Sequence, residues 1–383
     1  MTIPKANTQR SSDTMQTTLL PSDHVRTIVQ RIGLHELMDA LIARLTTAFA
    51  TFDPAHTHSP ARSGFNYTDP ELGLIEWMPV MTGGRVTIKV VGYHPSNPRA
   101  RQLPTILSTV STYDTRTGHW VAVADGNFLT ALRTGAASAI ASRALAAPHS
   151  HIVGLIGAGA QAVTQLHALS RVLPIEAAWV YDRDPAVAHS FRKRAGFLHI
   201  ELIPVDASGL AQLVERADVL CTCTSVDVGA GPVFADGAHK PWLHVNAIGS
   251  DFPGKTELPL SLLQRSLVVP DFPAQATQEG ECQRLSPTEI GPSLVDIVRN
   301  PERYVAQRET TTVFDSTGWS LEDHVALGLL MDYARDLGLG IPVDIESLAE
   351  DPHDPYAFAA PDGLRVLHPS RQNGAVNHGA LRA

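Results

Sequence analysis

Apolar residues recur at helical spacing near the start of the chain, between residues 22 and 52. They form one stripe along a predicted helix and comprise Leu34, Leu37, Met38, Leu41, Ile42 and Leu45. Between residues 55 and 125, short β-prone runs alternate with breaks rich in proline and glycine, which predicts a sheet built of antiparallel hairpins. An alanine-rich run at residues 130–146 predicts a helix whose small side chains suit close packing at a domain boundary.

From His151 onward, the pattern changes to apolar strands that alternate with helices. Strands are predicted at HIVGLIG, AAWVYD, IELIPV, DVLCTC, WLHVNAI, SLVVPD and TTVFDS, and helices at residues 160–173 and 186–195. Such alternation is typical of a doubly wound parallel sheet with right-handed crossovers. A further helix, at residues 321–337, would return the chain to the first domain. The predicted fold class is α/β, with a Rossmann doubly wound parallel sheet domain inserted in an α+β domain.

Four segments follow from this division. Residues 16–147 together with 319–350 make up the expected α+β domain, and residues 148–318 make up the expected Rossmann domain. The polar residues 1–15 are expected to be a disordered N-terminal extension without a signal peptide. Residues 351–383, rich in proline, histidine, glycine and asparagine, are expected to be a loosely ordered C-terminal tail.

Composition narrows the class of protein. Of 383 residues, 44% are hydrophobic and 18% charged, as in ordinary globular proteins, and the net charge of −9 argues against a nucleic-acid partner. The apolar runs are shorter than the ~20 residues that span a membrane. Cys221, Cys223 and Cys282 lack zinc spacing and cannot form a disulfide framework, so we expect core thiols and a reducing, cytoplasmic compartment.

Seventeen histidines raise the question of a metal site. The two close pairs, His56/His58 and His149/His151, stand in predicted loops without cysteines or acidic residues at ligand spacing. We therefore expect no protein-bound catalytic metal.

A dinucleotide-binding motif opens the Rossmann part of the chain. The segment from Gly157 to Ala162 fits G-x-G-x-x-A, follows an apolar strand and opens a helix, which is the context that the motif requires. Asp182 stands 25 residues after Gly157, at the end of the next strand, where an acid binds ribose hydroxyls. Because a carboxylate repels a 2′-phosphate, the sequence favours NAD over NADP; the neighbouring Arg183 weakens this preference or stacks on the adenine.

Matching segments spread over residues 60–340 resemble a known family. They are residues 74–79, 88–91, 94–97, 129–138, 157–161, 245–249, 251–258, 279–281 and 314–318. The chain resembles the ornithine cyclodeaminase/μ-crystallin family of NAD(P)-dependent enzymes. The run DFPGKTEL at residues 251–258 is similar to the true cyclodeaminases, since the reductase branches lack its aspartate. Residues 103–107, 159–170, 315–318 and 351–356 look closer to the pipecolate-forming lysine cyclodeaminases than to the ornithine enzymes.

This resemblance implies cyclisation of a terminal diamino acid with loss of ammonia. The α-hydrogen leaves as a hydride to NAD, the distal amine attacks the resulting α-imine, ammonia departs, and the cyclic imine is reduced again without net redox change. The substrate that the resemblance favours is L-lysine, which would give L-pipecolate; the alternative is L-ornithine, which would give L-proline. An NAD(P)-dependent amino-acid or imine dehydrogenase, and a small-molecule binding protein like μ-crystallin, stay open as further alternatives. Relatives are homodimers, so the resemblance implies that the α+β domain binds substrate and mediates dimerisation.

The resemblance also implies the site residues. Asp251 is the expected acid/base, with Lys89 and Glu76 as further catalytic candidates. On its strand, Lys89 has apolar neighbours, and periodicity alone favours a surface lysine; the resemblance instead makes it a ligand of the substrate carboxylate. The expected substrate-binding residues are Arg62, Lys89, Arg133, Asp251 and Thr317, with the three basic residues forming a cationic pocket. The expected cofactor-binding residues are Thr105, Arg133, Gly157, Gly159, Ala160, Gln161, Asp182, Arg183, Thr224, Ile248, Gly249, Ser250, Lys255 and Ser316.

Overall fold

The computed structural model describes residues 15–349 and 351–359. Residues 17–342 form one compact unit. In the described part of the other unit, the Gln16 amide donates to Asp344 at 3.2 Å. Most of the N-terminal extension expected at 1–15, and residues 360–383 of the expected tail, lie outside the described residues.

Residues 17–145 contain the antiparallel strands that the sequence predicts. In chain order the elements are β1 (Thr17–Leu20), α1 (Ser22–Ile32), α2 (Leu34–Ala50), β2 (Ser63–Tyr67), β3 (Gly73–Thr82), β4 (Arg85–Tyr93), α3 (Asn97–Ala100), β5 (Ile106–Asp114), β6 (Trp120–Asp125) and α4 (Gly126–Leu145). Strands β2 to β6 pair antiparallel in sequence order, and β1 lies parallel to β6.

Alternation along β3 and β4 gives this sheet one buried and one exposed face. On β3, Met78 and Val80 are buried, whereas Ile75 and Trp77 are exposed. Lys89 on β4 lies opposite Met78 and shares the buried face, where only 2% of its surface is exposed. The periodicity-based expectation of a surface lysine is therefore wrong.

Residues 152–315 form the parallel sheet. The elements are β7 (Ile152–Ile156), α5 (Ala160–Ser170), β8 (Ala177–Tyr181), α6 (Pro185–Ala195), β9 (Glu201–Val205), α7 (Leu210–Arg216), β10 (Val219–Thr222), β11 (His244–Ala247), α8 (Leu260–Gln264), β12 (Leu267–Pro270), α9 (Pro273–Ala276), α10 (Leu294–Arg299) and β13 (Thr312–Asp315). Short 3₁₀ helices lie at Gly196–Leu198, Ala207–Gly209, Glu281–Arg284 and Pro301–Glu309, and α11 (Ser320–Asp336) and β14 (Ile341–Val343) follow.

The strand order confirms the predicted doubly wound fold. The strands are parallel in the order β12-β13-β11-β10-β7-β8-β9, so the winding direction changes between β7 and β10. In open α/β sheets, ligands bind outside the carboxyl ends of the strands at this switch point. The fold therefore places the loops after β7 and β10 at a ligand site.

Two helix boundaries differ from the prediction. The single helix expected at residues 22–52 is interrupted at Gly33, whose φ of +91° is one that side chains with a Cβ rarely adopt. Helix α4 begins earlier than expected, at Gly126, because the Asp125 carboxylate accepts the N–H groups of Asn127 and Phe128 and caps the helix.

Helix α4 lies close to α5, as its small residues predict. A Cβ on Gly135 would lie 2.6 Å from the carbonyl oxygen of Thr164, so glycine permits the two backbones to approach. Helix α11 packs against α2, α4 and the strands β3 and β4. These contacts bring α4, α11 and the buried face of the first sheet to one place.

Candidate active site

A cavity of about 1570 Å³ opens at the carboxyl ends of the parallel strands. One wall comes from β3, β4 and α4, and the other from the ends of β7, β8, β10, β11 and β13 with the loops that follow them. Single-ligand pockets measure roughly 300–1,000 Å³. This cavity therefore has room for a dinucleotide together with a small second ligand.

The loop from β7 to α5 fits a pyrophosphate. Gly157 has φ +89°, and a Cβ there would lie 2.6 Å from the carbonyl oxygen of Cys223. A Cβ on Gly159 would meet nothing within 4 Å, so this glycine leaves space on the cavity side. Ala160 begins α5, whose first N–H groups and helix dipole attract an anion.

Asp182 stands directly after β8 and lines the same cavity. Its Oδ2 atom accepts the Ala158 N–H at 2.8 Å, which ties the strand end to the glycine-rich loop. The carboxylate is thereby held where a ribose would lie beside a pyrophosphate bound at α5. These residues fit the NAD that the motif predicts.

Lys255, Asp251 and Tyr93 lie close together between β4 and the loop that contains Asp251. The Lys255 ammonium lies 2.7 Å from Oδ1 of Asp251 and 5.6 Å from the centre of the Tyr93 ring. Burial lowers the pKa of Lys255, but the Asp251 carboxylate outweighs burial and holds it above its ordinary value. The Asp251 side chain is 36% exposed and lines the cavity. It is thus open to a ligand while one oxygen contacts Lys255.

Lys89 and Arg133 are joined by one carboxylate of α11. Oδ2 of Asp323 lies 2.9 Å from Lys89 Nζ, and Oδ1 accepts Arg133 Nε–H at 3.2 Å. Glu322 accepts a second bond from Arg133, at 3.0 Å. Burial, together with the positive charge of Arg133, lowers the pKa of Lys89 to about 8, although Asp323 opposes the shift. Burial raises the pKa of Glu322 to about 8.

The Arg62 guanidinium has acceptors on every side. Nη1 donates to Glu76 at 3.2 Å, Nη2 donates to the carbonyl oxygens of Thr317 and Gly318 at 2.7 and 3.1 Å, and Nε lies 2.9 Å from Glu279. Burial raises the pKa of Glu76 and raises that of Glu279 to about 8, in both cases against the effect of Arg62. A ligand carboxylate that forms a bidentate pair with this guanidinium must displace one of these partners.

Buried acids brace the loops beneath the cavity. Glu257 accepts the N–H of Thr224 and that of Gly249, both at 2.8 Å, and so joins the loops after β10 and β11. The Glu257 N–H in turn donates to the Glu281 carboxylate at 2.6 Å, and the Glu281 N–H donates to Asp315 at 2.9 Å. Burial raises the pKa of Glu281 to about 8 and that of Asp315 to about 7.

The sequence model described as the ornithine cyclodeaminase/mu-crystallin family matches residues 22–337. The chain belongs to this family. It is 46% identical over 346 residues to the L-lysine cyclodeaminase of Streptomyces rapamycinicus, covering 90% of this chain and 100% of that protein.

Solved structures of cyclodeaminase relatives share the fold. A lysine cyclodeaminase studied for its recognition of L-lysine, L-ornithine and L-2,4-diaminobutyric acid has a TM-score of 0.86 and 48% identity, over 90% of this chain and 99% of that one. An archaeal alanine dehydrogenase dimer with bound NAD has a TM-score of 0.76 and 27% identity, over 86% of this chain and 100% of that one. The family resemblance expected from the sequence is confirmed.

In this member of the cyclodeaminase family, all but one of the residues predicted for the site line the cavity. Ser250 does not: its side chain is fully buried, and its hydroxyl donates to the carbonyl oxygen of Lys255 within its own loop. Thr317 lines the cavity, but its hydroxyl donates to the buried Asp271 at 3.0 Å. The roles assigned to the lining residues stay predictions.

Sequence reasoning missed the acids that face the three basic residues. The expected cationic pocket contains Arg62, Lys89 and Arg133, but each lies beside at least one carboxyl group, contributed by Glu76, Glu279, Glu322 and Asp323. The available signal was two adjacent acids at the start of α11, whose neighbours are otherwise largely apolar. Buried acids in such a helix need cationic partners.

The described residues contain neither a cluster of metal ligands nor a membrane-spanning helix. Among residues 15–349 and 351–359, no group of three or more His, Cys, Asp or Glu side chains is placed to hold a metal ion. Within the same ranges, no helix has the length and apolar character needed to cross a membrane.

Proposed function

We propose that this chain is an NAD-dependent cyclodeaminase that converts L-lysine to L-pipecolate and ammonia. The observation that carries the proposal is that one cavity holds a dinucleotide cradle, the Lys89–Arg133 pair and the Asp251 carboxylate. The identity to a lysine cyclodeaminase over nine-tenths of the chain supports the same reaction.

Residues of the Rossmann part, with Thr105 of the first sheet's part opposite them, would hold NAD. The N–H groups at the start of α5 bind the pyrophosphate and Asp182 the ribose hydroxyls, and Thr105, Thr224, Ile248, Gly249 and Ser316 line the rest of the cleft. When bound, NAD supplies the acceptor for the substrate's α-hydrogen as a hydride and returns that hydride to the cyclic imine. NAD rather than NADP is expected because the Asp182 carboxylate repels a 2′-phosphate.

Lys89 and Arg133 would bind the α-carboxylate of lysine. Asp323 and Glu322 accept bonds from Arg133 Nε and Nη1, which leaves Nη2 and the remaining Lys89 protons for the ligand. Because both cations are buried, their attraction for a carboxylate is screened little by water. The α-carbon is thereby anchored between the first sheet and the cofactor cleft.

Asp251 would act as the base that accepts a proton from the distal amine. Its carboxylate would take a proton from the ε-ammonium; once the α-hydrogen has left as hydride, the neutral amine adds to the α-carbon of the substrate imine, and loss of the α-nitrogen as ammonia leaves the cyclic imine. Glu76, on the buried face of β3, is a second carboxyl group on the substrate side of the cavity and can hold the same amine. Met78, Val91 and Phe252 contribute apolar lining that limits water beside the reacting carbon.

The direct test is an incubation with L-lysine and catalytic amounts of NAD⁺. Ammonia and L-pipecolate should form in equal amounts without accumulation of NADH. Stoichiometric NADH would instead identify a dehydrogenase, and absence of turnover together with tight binding of a small molecule would identify a binding protein. L-Ornithine belongs in the same panel, because one methylene changes substrate preference by only ~1–3 kcal/mol and the related lysine cyclodeaminase recognises both amino acids.

We also propose a homodimer formed through the exposed face of the first sheet. Phe65, on β2, is 69% exposed and contacts Trp77 edge-to-face at 5.8 Å. The same face carries further exposed apolar side chains, namely Ile75, Met81, Val90 and Leu107. Contiguous apolar surface of this kind marks an interaction site. The archaeal alanine dehydrogenase solved with bound NAD is described as a dimer, which supports this proposal.

Two further expectations belong to this proposal. The α+β part at residues 16–147 and 319–350 would act as the substrate-binding and dimerisation domain, and residues 148–318 as the cofactor domain. A cytoplasmic location agrees with three free cysteines, of which Cys221 and Cys282 are buried.

A further inference from the structure

We propose that Asp323 is a positioning residue for the substrate carboxylate, acting through Lys89 and Arg133. This inference rests on the proposed function, since it concerns the carboxylate-binding side of the same cavity. It gives a role to a side chain of α11 that does not line the cavity itself.

The contacts of Asp323 tie together three elements. Lys89 projects from β4 and Arg133 from α4, and the two oxygens of the Asp323 carboxylate contact them separately, at 2.9 and 3.2 Å. The carboxylate is 1% exposed, so water does not compete for these bonds. One buried anion thus sets the separation and direction of the two cations that face the ligand.

Electrostatics give Asp323 a second effect. Without an anion between them, two buried cations repel each other, and the charged form of lysine is disfavoured. The charged groups around Lys89 are Asp323 of α11, Arg133 of α4, Arg62 ahead of β2 and Glu76 of β3. Asp323 is the one in direct contact with the ammonium. It therefore keeps Lys89 protonated as well as aimed.

Glu322 contacts only one of the two cations that Asp323 contacts, so it provides a control for the Asp323 variant. It contacts Arg133 at 3.0 Å but forms no hydrogen bond or ion pair with Lys89, and it is just as buried. Replacing Glu322 disturbs one cation, whereas replacing Asp323 disturbs both. The two adjacent acids therefore allow a general loss of buried charge to be separated from loss of the shared contact.

The experiment measures binding of L-lysine and L-pipecolate to the NAD-loaded protein by calorimetry between pH 6 and 9, alongside ammonia release. With Asp323→Asn, we expect the dissociation constant to rise by at least about tenfold at pH 7, because both cations lose the carboxylate that orients them. Because burial lowers the pKa of Lys89 to about 8, we expect binding to weaken at alkaline pH as this lysine loses its proton, and in Asp323→Asn this alkaline limit should move to lower pH. Glu322→Gln should weaken binding with a smaller movement of that limit.

Asp336→Asn, at the exposed end of the same helix, serves as the matched control and should leave both quantities unchanged. Unaltered binding and an unaltered alkaline limit in Asp323→Asn would overturn the inference, whether or not ammonia is released from lysine. Failure of ammonia release in the unaltered protein, with ligand binding still dependent on Asp323, would reject only the proposed function. If Asp323→Asn does not fold, Asp323→Glu decides: it keeps the charge, so binding should weaken while the alkaline limit stays, and full affinity would overturn the inference.

Discussion

The Lys255 ammonium contacts the Asp251 carboxylate at 2.7 Å, from a position four residues further along the same loop. The carboxylate proposed to accept the substrate's proton therefore already holds a cation before substrate binds. The distal ammonium of a diamino acid must share Asp251 with Lys255. This pairing makes Asp251 the residue whose replacement should separate catalysis from cofactor binding.

Asp251→Asn should lower turnover of lysine by about 10²- to 10⁴-fold, because an amide does not accept the proton that the ε-ammonium must lose. NAD affinity, followed by quenching of tryptophan fluorescence, should change little, since the pyrophosphate and ribose contacts lie at the ends of β7 and β8. Asp336→Asn provides a charge-matched control on the surface. Turnover at the unaltered rate in Asp251→Asn would remove Asp251 from the mechanism.

The two glycines of the cofactor loop should respond differently to alanine. Gly157→Ala forces a Cβ to within 2.6 Å of a backbone oxygen at positive φ, and such strain costs on the order of 1–3 kcal/mol. We expect a lower melting temperature and weak NAD binding. A Cβ on Gly159 meets nothing within 4 Å. In Gly159→Ala the melting temperature should therefore be unchanged, while the affinity for NAD falls.

Differential scanning fluorimetry and an NAD titration on both variants check this pair. Equal melting temperatures for Gly157→Ala and the unaltered protein would contradict the packing argument. Full NAD affinity in Gly159→Ala would contradict close approach of the pyrophosphate to that position.

Glu281 should make stability fall as the pH rises from about 4.5 to about 8, most clearly above about pH 6.5, where the lowered pKa values of the buried His167 and His244 no longer oppose this effect. The folded-state pKa of Glu281 is raised by burial to about 8, so the folded protein binds more protons than the unfolded chain over this window. The stabilising contribution is complete below the unfolded pKa and is lost as the pH passes through the folded value. Each pH unit between the two values corresponds to ~1.4 kcal/mol.

Melting temperatures across this range, compared with Glu281→Gln, provide the measurement. The glutamine amide oxygen can still accept the N–H groups of Glu257 and Leu258, which both donate to Oε1, but it does not titrate. The slope should therefore flatten without becoming zero, because burial also raises the pKa of Asp315 to about 7 and the pKa values of Glu279 and Glu322 to about 8. An unchanged slope would show that Glu281 is not the titrating group.

Trp77→Glu should convert the proposed dimer to a monomer, since a carboxylate in the centre of the apolar sheet face must be desolvated on association. Light scattering after size exclusion should show a fall from about twice to about once the chain mass of 41.2 kDa. Val305→Glu, an exposed position in the 3₁₀ helix Pro301–Glu309, serves as the control and should leave the mass unchanged. A monomeric mass for the unaltered protein would reject the dimer.

The local sequence pattern was sufficient to predict most strands and helices and to recognise the glycine-rich loop after β7. The alternation of strands and helices after His151 and the spacing of Gly157, Gly159 and Asp182 are properties of short segments. Each can be recognised because the geometry of a β-α-β unit constrains residues close in sequence. Matching segments spread along the chain, among them residues 251–258, indicated the family, and the family match over residues 22–337 confirms it.

The surroundings of the basic residues were decided by the tertiary structure. Period-two alternation favoured a surface position for Lys89, whereas packing buries it, because a strand has two faces and only packing shows which is buried. The Asp323 carboxylate reaches Lys89 and Arg133 because α11 returns across the first sheet and packs against α4. No sequence period connects residues so far apart. The sequence by itself determined which acidic and basic residues are available for the chemistry. The fold decided which of them come into contact, because a buried cation requires an anion nearby, and for Lys89 and Arg133 the distant helix α11 supplies it.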